Sequence, residues 1–167
     1  MIGVIATSPH SVEQAQLLRQ WSDRIVYFAN ALGEPPVDEM DALVRRGILF
    51  ESGTVTGLRI EDDRVTGVEV DGRVVPVGVV FTGPTPRPRD GILRSLGAAT
   101  TEGPFGPWVD IDEDGRTSIP GVWAVGNVVN VRSNVSVSLG LGSLVAGALN
   151  ADLVADDIAL ARATTAA

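Results

Sequence analysis

The opening residues hold the feature that most restricts the fold of this chain, two apolar runs separated by a helical pattern. Residues 2–6 are typical of a buried parallel strand, and residues 24–29, which are apolar after Arg24, indicate a second strand. Between them, Ser8 and Pro9 provide a hydroxyl cap and a proline suited to the first turn of a helix. Strand, helix and strand in so short a segment predict a parallel βαβ unit with a right-handed crossover.

Turn-forming residues divide the next part of the chain into short segments. Residues 37–46 have a helical pattern, and Gly47 suits the position after the end of that helix. Three apolar runs follow at residues 53–60, 64–70 and 73–81, and an Asp-Gly pair separates the last two. Because Asp-Gly between such runs is a strong hairpin signal, the sequence predicts a small antiparallel meander.

The last third of the chain predicts fewer elements and one long helix. Residues 103–107 are rich in glycine and proline and predict a linker, while residues 119–125 predict a buried strand. Residues 137–161 have a helical pattern of small and apolar residues that contains Gly140, Gly142 and Gly147. Because glycine destabilises a helix, we expect another backbone or a ligand to approach closely at these three positions.

Composition excludes several kinds of chemistry and partner. The 167 residues include no Cys and one His, and all 13 basic residues are Arg, so thiol chemistry, lysine Schiff bases and histidine-rich metal centres are excluded. The net charge of −8 argues against nucleic acid and anionic membranes as partners. Glycines and charges interrupt every apolar stretch, so we expect no membrane span and a cytoplasmic protein.

One acidic segment resembles half of a calcium-binding loop. Asp110, Asp112 and Asp114 alternate before Gly115, as the first ligands of such a loop do. The loop requires a glutamate at its twelfth position, which here is Gly121. We therefore interpret the segment as a solvated acidic turn and predict no metal site.

The order of elements and one motif resemble a known family. Residues 117–127 read Thr-Ser-Ile-Pro-Gly-Val-Trp-Ala-Val-Gly-Asn, and a Gly-x-x-Pro turn stands at residues 83–86. Both are similar to the thioredoxin-reductase-like members of the FAD/NAD(P)-dependent pyridine nucleotide-disulfide oxidoreductases. The resemblance implies an α/β fold in two parts. Residues 1–105 would form a truncated, three-layer, Rossmann-like nicotinamide lobe with the meander, and residues 106–167 a remnant of the flavin lobe, a strand and a long helix.

The sequence departs from the family at the positions that bind nucleotides. The glycine-rich nicotinamide turn is matched by Ala6, Thr7 and Ser8, followed by Pro9, so side chains take the place of the phosphates. The flavin-binding aspartate of the family motif is matched by Asn127.

Further family features are missing from this sequence. Ala29 and Asn30 stand where the family has the basic pair that holds a 2′-phosphate, and the FAD-binding Gly-x-Gly-x-x-Gly unit and the Cys-x-x-Cys do not occur. We therefore expect no cofactor, with FAD and NAD(P)H as the alternative.

His10, Tyr27 and Asn134 are the candidate catalytic residues. His10 falls near the start of a helix, where the positive dipole favours the neutral imidazole, so it is either a base that faces the nicotinamide crevice or a surface residue. Tyr27 ends the second strand and is either a site residue or core. Asn134 matches a family Gln beside the flavin ring. The candidate lining of a ligand pocket is Asn127, Asn134, Ser136, Ser138 and Trp108. These polar groups either line that pocket or bond the loop backbone.

These features lead to one functional hypothesis and two alternatives. The first is a cofactor-independent, reductase-derived protein that binds a hydrophobic small molecule. Such a protein could act as a cyclase or isomerase in polyketide-type specialised metabolism. The second is a fragment or subunit of an FAD/NAD(P)H-dependent oxidoreductase completed in trans, and the third is a non-catalytic binding module. The apolar C-terminal segment predicts a homodimer, or a partner that carries the missing flavin lobe.

Overall fold

The computed structural model describes residues 1–103 and 105–165. The chain divides into two compact units, Met1–Thr85 and Pro86–Ala167. The division therefore comes before residue 105, where the sequence predicts the end of the first lobe. That residue lies instead between two paired strands of the second unit.

A parallel sheet forms the centre of the first unit. The elements of this unit are β1 Ile2–Ile5, α1 Ser11–Leu18, β2 Ile25–Phe28, α2 Val37–Arg45, β3 Leu49–Glu51, β4 Val55–Glu61, β5 Arg64–Val70, β6 Arg73–Pro76 and β7 Val79–Thr82. Strands β1, β2, β3 and β7 are parallel, in the order β3-β2-β1-β7. The prediction of an opening βαβ unit is confirmed, because β1 and β2 are paired in parallel on either side of α1.

Both faces of this sheet are covered, because successive side chains of a strand point to opposite faces. Val4 of β1 and Tyr27 of β2 pack with the helices, in a cluster that includes Leu18 of α1 and Leu43 of α2. On the other face, Ile5, Val26 and Phe28 pack against the meander side chains Val68 and Val70. Helices, parallel sheet and meander thus make the predicted three-layer α/β arrangement.

The meander consists of β4, β5 and β6 in antiparallel order. Positive φ angles of 49° and 58° at Asp62 and Asp63, and of 46° and 83° at Asp71 and Gly72, are typical of type I′ hairpin turns. The predicted run 73–81 is divided, because β6 ends at Pro76 and β7 joins the parallel sheet. Proline has no amide hydrogen with which to continue a ladder.

The helices of the first unit differ in how well their bounds are predicted. Helix α2 agrees with the sequence, and Gly47 follows it with a φ of 71°. Helix α1 begins at Ser11 rather than at Pro9, because Ser8 to His10 form a separate turn. Trp21, which follows Leu18 at helical spacing in the sequence, lies beyond the end of α1 and is 71% exposed.

The second unit has less regular structure. Its elements are α3 Gly91–Ser95, β8 Thr100–Gly103, β9 Gly106–Val109 and α4 Val135–Thr165. The predicted linker at residues 103–107 is a hairpin connection, since Gly103 is paired with Gly106; Pro104 lies outside the described residues. The prediction of a strand at residues 119–125 is wrong, and this segment makes only an isolated bridge between Trp123 and Arg116 in the part that the structure describes. A strand requires a paired neighbour along its length.

Helix α4 runs without interruption through its glycines. A Cβ placed at Gly140, Gly142 or Gly147 would have nothing within 4 Å among the described residues, so the expected close approach is not found there. By length and composition, Val135–Thr164 could cross a bilayer, with a hydropathy of 1.5 in its most apolar window. The expectation that glycines interrupt this stretch is therefore wrong. A single helix of this kind is a weak indication of a membrane span, since core helices of soluble proteins can have the same composition.

Ion pairs join α4 to the acidic turn of the same unit. Arg116 donates from Nε and Nη2 to the two carboxylate oxygens of Asp152, at 2.9 and 2.7 Å, and it also pairs with Asp112 and Asp114. Gly115 lies so close to α4 that a Cβ there would be 2.6 Å from Val145. Two of the three carboxylates that resemble calcium ligands, those of Asp112 and Asp114, thus bind a guanidinium.

Candidate functional site

The turn between β1 and α1 lies where ligands bind in open α/β sheets. Strands β2 and β3 follow one another on one side of β1, and β7 lies on its other side. This change of direction makes the carboxyl ends of β1 and β7 a topological switch point, the usual place for a crevice that takes a nucleotide. The predicted nicotinamide-type positions Ala6, Thr7 and Ser8 are all in this turn.

The backbone amides of this turn are already bonded to side chains of the chain itself. The Ser11 hydroxyl accepts from the amides of Thr7 and Ser8, at 3.1 and 3.3 Å, and the Ser8 hydroxyl accepts from the amide of His10 at 3.3 Å. Ser8 and Ser11 are buried, and Ala6, fully buried, donates its amide to Phe28. Because Pro9 has no amide hydrogen, the donors that a phosphate requires are occupied or missing.

A hydrogen bond also bridges the switch point. The Ser8 hydroxyl donates to the carbonyl oxygen of Gly83, which directly follows β7. Gly83 lies so close to α1 that a Cβ there would be 3.0 Å from the Ser11 Oγ. A dinucleotide pyrophosphate does not fit these residues, because the space and the donors that it needs are used within the protein.

Asn30 has a structural role at the position of the family's basic pair. Its side-chain amide donates to the Ala6 carbonyl at 3.1 Å, and its side-chain oxygen accepts from the Val55 amide at 3.1 Å. Its φ of 51° is in the left-handed region, which asparagine adopts more readily than most residues. Ala29 is buried. These two residues connect β1, β2 and β4 and provide no positive charge for a 2′-phosphate.

Tyr27 lies beside an open cavity on the β2 side of the turn. The residue is 3% exposed, and its ring stacks on that of Phe50 with a centroid separation of 6.2 Å. The cavity has a volume of about 310 Å³ and is also lined by Ser8, Val12 and Glu39. Burial raises the pKa of the Tyr27 phenol above its usual range, and the Glu39 carboxylate raises this pKa further. The phenol therefore stays protonated at neutral pH and can donate a hydrogen bond.

His10 lies by a second cavity in the same unit. This cavity has a volume of about 750 Å³ and lies between α1 and α2, with Leu17 and Arg46 in its lining. The His10 side chain is 49% exposed, and its Nδ1 is 3.6 Å from a carboxylate oxygen of Glu13. Pro9, Val12 and Glu39 line both cavities. The structure thus brings His10 and Tyr27 to neighbouring cavities.

The candidate pocket residues of the second unit are less concentrated. Trp108, 8% exposed, lines a cavity of about 290 Å³ with Val109 and Asn130. Asn134 is exposed and caps α4, since its side-chain oxygen accepts from the Val137 amide at 3.0 Å. Asn134 was expected either to line the ligand pocket or to bond the loop backbone, and the structure favours the bond to the backbone.

The remaining candidates, Asn127, Ser136 and Ser138, differ in exposure. Asn127 and Ser136 are exposed and Ser138 is half-buried, near Gly126. Within the described residues, the Asn127 amide could bond a flavin, but this unit contains no glycine-rich turn to bind the flavin phosphates. These residues alone do not make a flavin site.

Ser11 and Glu39 belong to this site, although the sequence predicted no role for either. The signal for Ser11 is a second hydroxyl three residues after Ser8, a spacing at which a side chain can cap a turn. The sequence carries no comparable signal for Glu39, because it reaches the Tyr27 cavity only through the packing of α2.

Comparisons with known proteins place the chain in a family. Residues 7–143 match the family model of the pyridine nucleotide-disulphide oxidoreductases. The crystal structure of HlmI is 46% identical over 99% of this chain and 51% of its own, with a TM-score of 0.87. An oxidoreductase from Agrobacterium tumefaciens is 29% identical over 92% of this chain and 50% of its own, with a TM-score of 0.76.

A more distant match supports the fold alone. The thioredoxin reductase from Streptococcus pyogenes is 21% identical over 92% of this chain and 53% of its own, with a TM-score of 0.74. The chain spans about half the length of these solved structures. The family match covers most of the chain, including the turn after β1 and the first part of α4. This chain therefore belongs to the pyridine nucleotide-disulphide oxidoreductase family.

Proposed function

We propose that this chain is a reductase-derived protein that binds a hydrophobic small molecule and takes up no nicotinamide dinucleotide at the turn after β1. One observation carries the proposal: the hydroxyls of Ser8 and Ser11 bind the turn amides of Thr7, Ser8 and His10. A phosphate would have to displace buried or partly buried hydrogen bonds, which costs about 1–3 kcal/mol for each buried group left without a partner.

The two cavities of the first unit support the ligand that we propose. The exposed wall of the larger cavity is mostly apolar, with Pro9, Val12 and Leu17 in it, although six of the ten lining residues, His10 included, are polar or charged. Apolar walls with few polar groups are the usual composition of small-molecule sites. As an enzyme, such a site would act by holding one conformer of the ligand, which suits a cyclase or isomerase of polyketide-type metabolites.

Titration of the purified protein with NADPH, NADH and the neutral dye Nile red tests this proposal. Calorimetry and backbone chemical shifts follow the nucleotides, and fluorescence follows the dye. We expect the dye to bind with a rise in its fluorescence and neither nucleotide to bind at millimolar concentration. Saturable binding of NADPH, with chemical-shift changes at Thr7 and Ser8, would contradict the proposal. A dye signal that persists unchanged after Val12→Asp, in a variant with a native circular dichroism spectrum, would also contradict it.

A second candidate function is part of an FAD/NAD(P)H-dependent oxidoreductase completed by a partner, or by further chain, that provides the flavin lobe. It is favoured by the exposure of α4, where Leu139 and Leu144 are 72% and 73% exposed, and by matched structures that are about twice as long. The occupant that we propose for this helix face is therefore the remaining half of the family fold. FAD would supply redox chemistry there, and the motif at residues 117–127 assigns Asn127 as the residue that would bond it.

Native mass spectrometry separates the two candidates. A cytoplasmic protein purified with bound FAD and a second polypeptide would support the oxidoreductase and overturn the cofactor-free hypothesis. A homodimer without FAD would support the cofactor-free protein and place a second copy on α4. A monomer with α4 exposed would contradict both assignments of the helix face.

A further inference from the structure

The cavity beside Tyr27 differs in its chemistry from the closed turn next to it. Apolar side chains, among them Pro9, Val12 and Leu32, form most of its lining. Its polar residues include Tyr27, Glu34 and Glu39, and the Glu39 carboxylate is near enough to the Tyr27 phenol to raise its pKa. The cavity is thus an apolar space of about 310 Å³ with acidic groups at its wall, a size suited to a small ligand.

Residues with little conformational freedom form part of the frame of this cavity. Pro35 and Pro36 form part of the wall, and proline has a restricted backbone. Tyr27 belongs to a β-strand in the centre of the sheet, and its ring is held against Phe50. A preformed site loses less conformational entropy when a ligand binds.

The Tyr27 hydroxyl is available to a ligand. In the part of the chain that the structure describes, no hydrogen bond to this hydroxyl is found, although the residue is 3% exposed. A tyrosine buried to this degree usually finds a partner for its hydroxyl. The phenol, which keeps its proton, can donate to a ligand and accept from one.

The charges around the cavity select the sign of the ligand's charge. Its lining includes Glu34 and Glu39 and has no Arg or His among the described residues. Glu39 is half-buried, and no ion pair of Glu39 is found within the same part of the chain. A carboxylate in such a place attracts a cation and repels an anion more strongly than one in open water does.

We propose that the Tyr27 cavity binds a small apolar ammonium compound, with the Glu39 carboxylate and the Tyr27 hydroxyl as its polar contacts. The inference rests on the proposed function, since it names the class of ligand for a protein that binds a hydrophobic small molecule. The ammonium group donates to the carboxylate and the phenol oxygen, while the apolar part of the ligand lies against Pro9, Val12 and Leu32.

Titration with benzylamine, benzyl alcohol and benzoate, followed by backbone chemical shifts, tests the assignment. These probes share a ring and differ in charge at neutral pH. We expect benzylamine to bind about fivefold more tightly than benzyl alcohol, the scale of a partly exposed ion pair, and benzoate to bind most weakly. Shifts should concentrate at residues 32–36 and around Tyr27.

Two variants and a matched control identify the polar contacts. Glu39→Gln should remove the preference for benzylamine over benzyl alcohol. Asp38→Asn, the same loss of charge at the neighbouring position of α2, should retain it. Tyr27→Phe should weaken the binding of both probes about fivefold, as expected for one hydrogen bond.

The outcomes separate this inference from the proposed function. Equal binding of the amine and the alcohol, a preference that survives Glu39→Gln, or tight binding of benzoate would overturn the ammonium site and leave a hydrophobic-ligand protein. Binding of NADPH at Thr7 and Ser8 would overturn the proposed function, and the probe preference would still be measured on its own.

Discussion

The parallel sheet of the first unit and helix α4 of the second are both apolar, yet they differ in how far they are covered. Phe28, in β2, has no exposed surface, whereas Leu144, on α4, is 73% exposed. The sheet has its own partners, since α1 and α2 cover one face and the meander covers the other. Helix α4 presents large apolar side chains to solvent along much of its length.

This difference shows that an apolar pattern states what has to be buried but not what buries it. The first unit contains strands, helices and meander within 85 residues, so its own residues complete a core. In the second unit, α4 is tied to the acidic turn by Arg116 and Asp152 and by the contact of Gly115 with Val145. Polar and small-residue contacts there replace the layered apolar packing of the first unit.

The largest expected effect comes from removing a core side chain of the sheet. Phe28→Ala should lower the free energy of unfolding by about 3–5 kcal/mol, because it leaves a cavity between sheet and meander. Leu144→Ala should change it by less than about 0.5 kcal/mol, as substitutions at exposed sites do. Urea denaturation followed by circular dichroism measures both. A comparable loss for Leu144→Ala would mean that α4 is covered in solution.

An intermediate effect is expected at the turn after β1. Ser11→Ala leaves the amides of Thr7 and Ser8 without their acceptor and should cost about 1–3 kcal/mol. Ser136→Ala, an exposed serine near the start of α4, is the matched control and should be nearly neutral. The same denaturation experiment applies. If Ser11→Ala proved neutral, water would satisfy these amides, and the turn would not be closed to a phosphate.

The smallest effect concerns the ion pairs of the second unit at low pH. The Arg116 guanidinium holds the pKa of the Asp152 carboxyl below its usual range, and backbone amides, first that of Arg116, lower the pKa of Asp112. A lowered pKa in the folded state stabilises that state above the unfolded pKa of about 3.9. This contribution is lost as the pH falls through the lower, folded value.

Hydrogen exchange of α4 amides in acid measures this contribution. Protection around residue 152 should fall below about pH 4 in the wild type, and Asp152→Asn should have the lower protection already at neutral pH. Asp157→Asn, on the same helix, should behave as the wild type does. Equal protection in Asp152→Asn and the wild type at neutral pH would show that packing, not charge, holds this helix.

The sequence predicted much of the first unit because its signals are local. Residues 2–6 and 25–29 are apolar at successive positions, which is typical of strands covered on both faces. Asp71 and Gly72 have the chemistry that a type I′ turn requires, and Gly47 has the conformational freedom to end α2. Each of these patterns is complete within a few residues of the chain.

The predictions for the second unit were less accurate because they depend on partners. Residues 119–125 have the composition of a strand, yet Trp123 makes only an isolated bridge. The glycines of α4 suggested a close neighbour, and the described residues place nothing against Gly140, Gly142 or Gly147. The predicted pocket residue Asn134 caps the helix. A sequence cannot state which neighbour a surface will meet.

The candidate site is divided in the same way. The replacement of glycines by Ala6, Thr7 and Ser8, followed by Pro9, is visible in the sequence and by itself indicated a poor phosphate site. Only the tertiary structure decided that the Ser8 hydroxyl bridges to Gly83 across the sheet and that Glu39 stands beside Tyr27. The physical reason is distance along the chain, because hydrogen bonding and electrostatic contact depend on spatial proximity, and folding brings these residues together from separate elements.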